Sequence, residues 1–311
     1  MSDVQRPHLW LHRFALLTTL ATFPLLFVGG LVTSTGSALA VPDWPTTFGY
    51  NMFLYPFSGM VGGILYEHSH RLLGAWVGFL TVLLTLWLWL REPRLWLRWL
   101  GSLALATVML QGVLGGLRVV LLAQTLAIVH ACLAQAFFAL LVSITCFTSP
   151  VRPDQLVEPP IAPPSRLRRL SVVTTAAIYL QVMFGAILRH TGARLDAHLV
   201  LAALVAFLVI VLNLYVWRNH GEEDMVVHPI MLLSGLLLAQ LSLGLGAYFV
   251  EYTPMAAMAT SWFRVSLTTT HLAVGSLLLA TSLVLTLRTY RLGTASTPMI
   301  ARTLLSEQVS L

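Results

Sequence analysis

Eight apolar runs dominate the chain, near residues 14–33, 72–90, 99–117, 122–147, 170–188, 195–217, 229–250 and 265–287. Each approaches or exceeds the ~20 residues that a helix needs to cross a bilayer core, and all are too long for barrel strands of about 10 residues. The pattern predicts an all-α integral membrane protein with eight transmembrane helices. The first run precedes "SALAV" at 37–41, which resembles a small-residue cleavage site. Its apolar core is longer than the roughly 7–15 residues of a signal peptide, so it is read as a span.

Composition removes the soluble alternatives. Of 311 residues, 57% are apolar and only 10% charged, with a mean hydropathy of +0.82; soluble domains carry about 25% charged residues. The net charge of +6 comes from 18 arginines and no lysine. Topology accounts for most of them, so no nucleic acid partner is expected. With both termini cytoplasmic, only Arg71, Arg118, Arg189, Arg194 and Arg264 fall on the outer side, and the other thirteen of the 18 fall inside. That is the asymmetry of the positive-inside rule, and it places the chain in the cell (inner) membrane as a multi-pass protein. Cys132 and Cys146 share one apolar run and read as small buried hydrophobes, not as a disulfide.

A proline-rich cytoplasmic linker, 149–169, divides the chain into an N-terminal four-helix half, 1–148, and a C-terminal half, 170–311. The outer segment 34–66 contains "VPDWPTTFGYNMFLYPFSG" and reads as a folded interfacial loop. The halves align. At an offset of 156, Gly29, Thr35 and Gly36 fall on Gly185, Thr191 and Gly192; at 129, Gln111 and Gly115 fall on Gln240 and Gly244. Gln-x3-Gly recurs at Gln181 and Gly185. The consistent register predicts two pseudo-symmetric four-helix bundles.

The same register pairs the histidines: His70 with His198, and His130 with His271. Each even-numbered span carries one, near its outer end. A lone histidine in a span is as readily a packing residue as a ligand; four at equivalent places are hard to explain by packing. Two facing helices that each offer an imidazole can hold a planar macrocycle with both axial positions filled. Zinc or copper sites usually draw more ligands, often with sulfur or carboxylate. Haem therefore fits better than a bare metal.

The five outer arginines suit haem propionates, because the planar guanidinium fork matches a carboxylate; contact with lipid headgroups is the plainer alternative. Arg194 precedes His198 by four residues and Arg264 precedes His271 by seven, sharing a face where the helix extends that far. Glu67, one turn before His70, has Leu195 as its counterpart in the second half. A carboxylate in one pocket only suggests that one haem is acted upon while the other is a fixed cofactor. His68 points away from His70 and reads as a rim or packing residue that could also substitute as a ligand.

Together, "TGSALAVPDWP", "EHSHR", "QGVLGGLRVV", "IVHA", "QVMFGAILRHTGARLDAH", "QLSLG" and "TTTHLAVG" resemble the haem A synthase family, over nearly the whole chain. The resemblance implies stepwise oxidation of a methyl group of haem O, through an alcohol and a hydrated aldehyde, to the formyl group of haem A, with oxygen from water. It also implies a b-type haem cofactor held by His198 and His271, with Arg189, Arg194 and Arg264 nearby. The substrate haem would sit at His70 and His130 with Arg71 and Arg118, and Glu67 would be catalytic. Expected partners are haem O and haem A, the haem O synthase, quinone, the lipid bilayer and a second copy of the chain. One departure stands out: many members carry two cysteines flanking the Pro-Asp-Trp-Pro stretch, where this chain has Val41 before it and Thr46-Thr47 after it. The leading alternative is a bis-histidine membrane cytochrome b that only transfers electrons. It leaves Glu67 unexplained. A repeat-built transporter fits less well, because its polar groups would sit near the midplane.

Overall fold

The computed structural model describes residues 9–150 and 165–294, so most of the expected linker and both chain ends lie outside the described residues. Eight helices follow one another: α1 (Leu9–Ser34), α2 (Gly63–Arg91), α3 (Leu95–Leu121), α4 (Gln124–Thr148), α5 (Ser165–Thr191), α6 (Leu195–Asn219), α7 (Asp224–Tyr252) and α8 (Ser261–Thr294). Every one is long and apolar enough to cross a membrane, and the described residues form no strand. The chain is a multi-pass, all-helical membrane protein.

The helices match the apolar runs one for one, but their ends differ for local reasons. α2 starts at Gly63, not near 72, so Glu67, His70 and Arg71 are helical residues. Polar residues can extend this helix because Glu67 and Arg71, one turn apart, satisfy each other at 2.9 Å. α5 begins at Ser165 and takes in three arginines expected to lie before or at its start. Arg166 lies over the Tyr215 ring and Arg168 over Tyr290. α4 begins at Gln124 because Leu122 turns the chain in the left-handed region, at φ 50°.

α1 packs on α2, α2 on α3, α3 on α4 and α4 back on α1; α5, α6, α7 and α8 close a second ring in the same way. Contacts of α1 and α4 with α8, and of α4 with α5, join the rings. Each ring has its own apolar core, with Leu84, Leu97 and Leu141 in the first and Leu212, Ile230 and Leu279 in the second. Leu26, Phe138 and Val142 pack with Leu283 where the rings meet. Leu90, Val200 and Leu238 are exposed, as lipid contact requires. Hydroxyl groups link helices inside: Thr19 with Thr145 at 2.8 Å, and Thr175 with Ser282 at 2.7 Å. Such bonds contribute about 0.6–2 kcal/mol in a membrane interior.

Four connections share one end of the molecule, called here the loop end. Three are short, 122–123, 192–194 and 253–260; the fourth, 35–62, is long and folded, with 3-10 turns at Met52–Leu54 and Phe57–Gly59. Arg94 closes the opposite α2–α3 turn by gripping Glu92 at 2.6 Å.

Candidate functional site

His70, His130, His198 and His271 all fall in the first three turns of α2, α4, α6 and α8, at the loop end. One local arrangement surrounds each. The imidazole lies edge-on over a glycine of the preceding helix. A Cβ on Gly29 would stand 2.9 Å from Cε1 of His70, and one on Gly115 3.2 Å from that of His130. For Gly185 and His198 the distance is 3.2 Å, and for Gly244 and His271 it is 2.9 Å. Only glycine leaves room for the ring. The main-chain carbonyl four residues before that glycine, at Leu25, Gln111, Gln181 and Gln240 respectively, lies within hydrogen-bonding reach of the same imidazole.

In the sequence the glycines and glutamines are visible only as a repeat. Only the structure shows that they seat the histidines.

Nδ1 of all four histidines is buried without a hydrogen bond. Nδ1 is the nitrogen nearer the glycine of the preceding helix, which leaves Nε2 as the atom available to a ligand. Metal-ligating histidines commonly engage a backbone carbonyl or carboxylate with the nitrogen that does not ligate. The His198 and His271 rings lie 6.4 Å apart, centre to centre, and are nearly perpendicular. Two metal–nitrogen bonds of about 2.0 Å, each prolonged by the ~1.1 Å from nitrogen to ring centre, span a similar distance. No group of three or more metal-binding side chains occurs among the described residues. Paired imidazoles without further ligands fit a tetrapyrrole, which brings its own four equatorial nitrogens.

Glu67 is buried beside this arrangement in the first ring only. Its Oε2 accepts from the Val41 backbone N–H at 2.9 Å and its Oε1 from Arg71 Nη2 at 2.9 Å. Arg71, expected at a propionate, also donates to the carbonyls of Val41 (2.9 Å), Asp43 (2.7 Å) and Thr46 (3.1 Å). It therefore ties the long loop to the catalytic-candidate carboxylate. The loop packs further through His68, which is buried, lies 3.2 Å from Thr47 Oγ1 and stacks near Tyr55; this is a packing role. Trp44 lies flat against Gly116 of α3. Asp43 organises the turn by accepting from Phe48 N–H (2.8 Å), Gly49 N–H (2.9 Å) and the Thr46 hydroxyl (2.5 Å). Partial burial would raise its pKa, but these donors hold it down at about 2.

The remaining arginines divide. Arg118, at the end of α3, makes no hydrogen bond among the described residues and lies within electrostatic range of Glu67, His70, His130 and His190. Arg189 donates to Gly30 and Thr268 carbonyls and to the Ser34 hydroxyl, bridging α5 to α1 and α8. Arg264 donates to the Ala256 carbonyl and lies 3.7 Å from Glu251. Arg194 is exposed in the left-handed turn before α6, so the helix does not extend to it. Cys132 and Cys146 form no disulfide.

A many-spanning helical membrane protein with two pairs of half-buried histidines, one in each ring of helices, has the design of a haem protein. Residues 58–199 match the family described as cytochrome oxidase assembly protein. The chain is 31% identical over 192 residues to the heme A synthase of Shouchella clausii (strain KSM-K16), covering 60% of this chain and 62% of that one. It is 23% identical over 290 residues to the heme A synthase of Geobacillus kaustophilus (strain HTA426), covering 84% and 88%. A third relative, the heme A synthase of Lysinibacillus sphaericus (strain C3-41), is 30% identical over 195 residues, 60% of each chain. The matched stretch thus spans under two thirds of the first relative's length. The chain is similar to heme A synthases, over part of its length at 30–31% identity and over most of it at 23%.

Proposed function

We propose that the protein oxidises a methyl group of haem O to the formyl group of haem A. The substrate would sit in the N-terminal half, 1–148, between His70 and His130, and a b-type haem cofactor in the C-terminal half, 170–311, between His198 and His271. The observation that carries this reading is Glu67: a buried carboxylate one turn from His70, with leucine at the matching place beside His198. An electron carrier has no use for that difference.

The conversion of methyl plus water to formyl releases four electrons and four protons. A b-type haem in the second pocket would supply a one-electron redox centre for passing those electrons on, with quinone the candidate acceptor. Glu67 would take a proton at the reacting carbon or its attacking water, or stabilise positive charge developing there. Its two hydrogen bonds leave the remaining lone pairs of the carboxylate free for this. In a site with little water either role gains strength. Arg71 and the Val41 N–H would keep the carboxylate aimed, while the loop they anchor closes the site against water. Arg118, uncommitted among the described residues and within electrostatic range of Glu67, is the donor best placed for a substrate propionate.

The arginine distribution supports a cell-membrane location with both termini cytoplasmic and the site on the outer side. The enzyme that makes haem O, and a second copy of this chain, are the protein partners such a role would favour.

Expression with a haem O supply, followed by pigment extraction, tests the reading. A formyl porphyrin in the extract is the expected result. Unaltered haem O alongside two bound haems would instead identify an electron-carrying cytochrome b.

A further inference from the structure

Resting on the haem reading above, we propose that Gln111, Gln181 and Gln240 are positioning residues that pin three of the four imidazoles, and that His70 is left as the exchangeable ligand of the substrate haem.

The three glutamines occupy one structural place. The Gln111 amide nitrogen donates to the His130 main-chain carbonyl at 3.0 Å, and that of Gln181 to the His198 carbonyl at 3.0 Å. The Gln181 and Gln240 amide nitrogens also stand 3.4 and 3.3 Å from Nε2 of His198 and His271. Each glutamine thus couples an odd-numbered helix to the histidine of the next. Their Oε1 atoms are buried and unpartnered.

The α1–α2 pair breaks the rule. Leu25 stands where the glutamine would, and its side chain cannot hydrogen-bond. The space is open as well. Gly275, four residues after His271, carries the Gln240 amide 3.2 Å from where its Cβ would be, whereas a Cβ on Gly74, four residues after His70, would meet nothing within 4 Å. Pro24, immediately before Leu25, removes one hydrogen bond from α1 at this turn. The connection between the two helices is the long loop 35–62, against 122–123 and 192–194 elsewhere. Glu67 and Arg71 tie α2 to that loop and not to α1. His70 is therefore the imidazole with no side-chain amide on the preceding helix to hold it, and it belongs to the pocket through which material must pass. A cofactor that stays needs both ligands fixed; a substrate that leaves needs one that lets go.

The test measures haem transfer from the full-length protein, in detergent, to excess apomyoglobin. Leu25→Gln supplies the missing amide and is expected to slow release from the first pocket about tenfold, with its low-spin spectrum retained. Gln111→Leu is expected to speed the same phase about tenfold. Gln181→Leu and Gln240→Leu are expected to shift the electron paramagnetic signature and midpoint potential of the second haem and leave the first phase unchanged. Parental release rates in both Leu25→Gln and Gln111→Leu would overturn the proposal while leaving the proposed function standing. A parent that binds no haem would overturn both. Hydrogen exchange on the haem-free parent gives an independent check: residues 21–29 of α1 are expected to exchange faster than 107–115, 177–185 and 236–244. Equal protection in the four segments would contradict the proposal even where a variant fails to fold.

Discussion

Gly29 of α1 lies directly against His70 of α2: a methyl group added to the glycine would stand 2.9 Å from the imidazole Cε1. The Gly244–His271 pair repeats the distance, and the other two pairs stand at 3.2 Å. At 2.9 Å the ring must move or the helices must part, while at 3.2 Å the ring need give only a few tenths of an ångström. Gly29→Ala and Gly244→Ala are expected to lose most of the haem from the first and second pocket respectively. Gly115→Ala and Gly185→Ala, with a little more room, are expected to retain part of it. Overpacking of this kind costs about 1–3 kcal/mol. Haem-to-protein ratios of the purified variants check the order. Full occupancy in Gly29→Ala and Gly244→Ala would show that the glycines are ordinary packing residues.

Glu67→Gln keeps the shape of the side chain and removes its charge. Haem binding is expected to persist while formyl porphyrin output falls by a factor of about 100 or more, the usual scale for losing a proton-transfer or charge-stabilising group. Glu67→Ala with bound haem and parental haem A output would remove this residue from the mechanism.

Arg71 gathers Glu67 and three loop carbonyls around one guanidinium. Arg71→Ala strands a buried carboxylate, and the expected loss is about 3–5 kcal/mol, typical when one partner of a buried pair is removed. Lysine restores the charge but not the fork, so Arg71→Lys is expected to recover only part. Thermal unfolding in detergent, with proteolysis of the 35–62 loop, reads both effects. Equal loop cleavage in parent and Arg71→Ala would show that the clamp is dispensable.

Asp43 makes the loop acid-sensitive. Its pKa in the folded protein, about 2, lies below the ordinary 3.8. A depressed carboxylate pKa contributes stability that is full above the unfolded value and is lost as pH falls through the folded one. Loop anchoring is therefore expected to weaken between about pH 4 and about pH 2. Pepsin cleavage of the parental loop should be slower than that of Asp43→Asn near pH 4, and the two rates should converge towards pH 2. A constant ratio over that range would contradict this role.

Eight spans were legible because hydrocarbon demands long apolar runs and little else. The four histidines and Glu67 were legible for the converse reason: polar groups are expensive there, and these recur in register. The start of α2 was not legible, because its polar first turns are stabilised by Val41, Asp43 and Thr46, some 25 residues away in sequence. The arginines were equally hard to sort. Arg71, Arg189 and Arg264 donate to main-chain carbonyls of other segments, and no spacing in the sequence distinguishes them from Arg118. Gln111, Gln181 and Gln240 were visible as a repeat, yet only the fold puts them beside imidazoles.

The central claim is that the His198–His271 pair and the His70–His130 pair each grip one tetrapyrrole. Optical and electron paramagnetic spectra of the purified full-length protein, after reconstitution with haem b and haem O, measure this most directly. The account predicts low-spin, bis-imidazole haem that disappears from the second pocket in His198→Ala or His271→Ala and from the first in His70→Ala or His130→Ala. A protein that stays colourless and free of iron after reconstitution would contradict it.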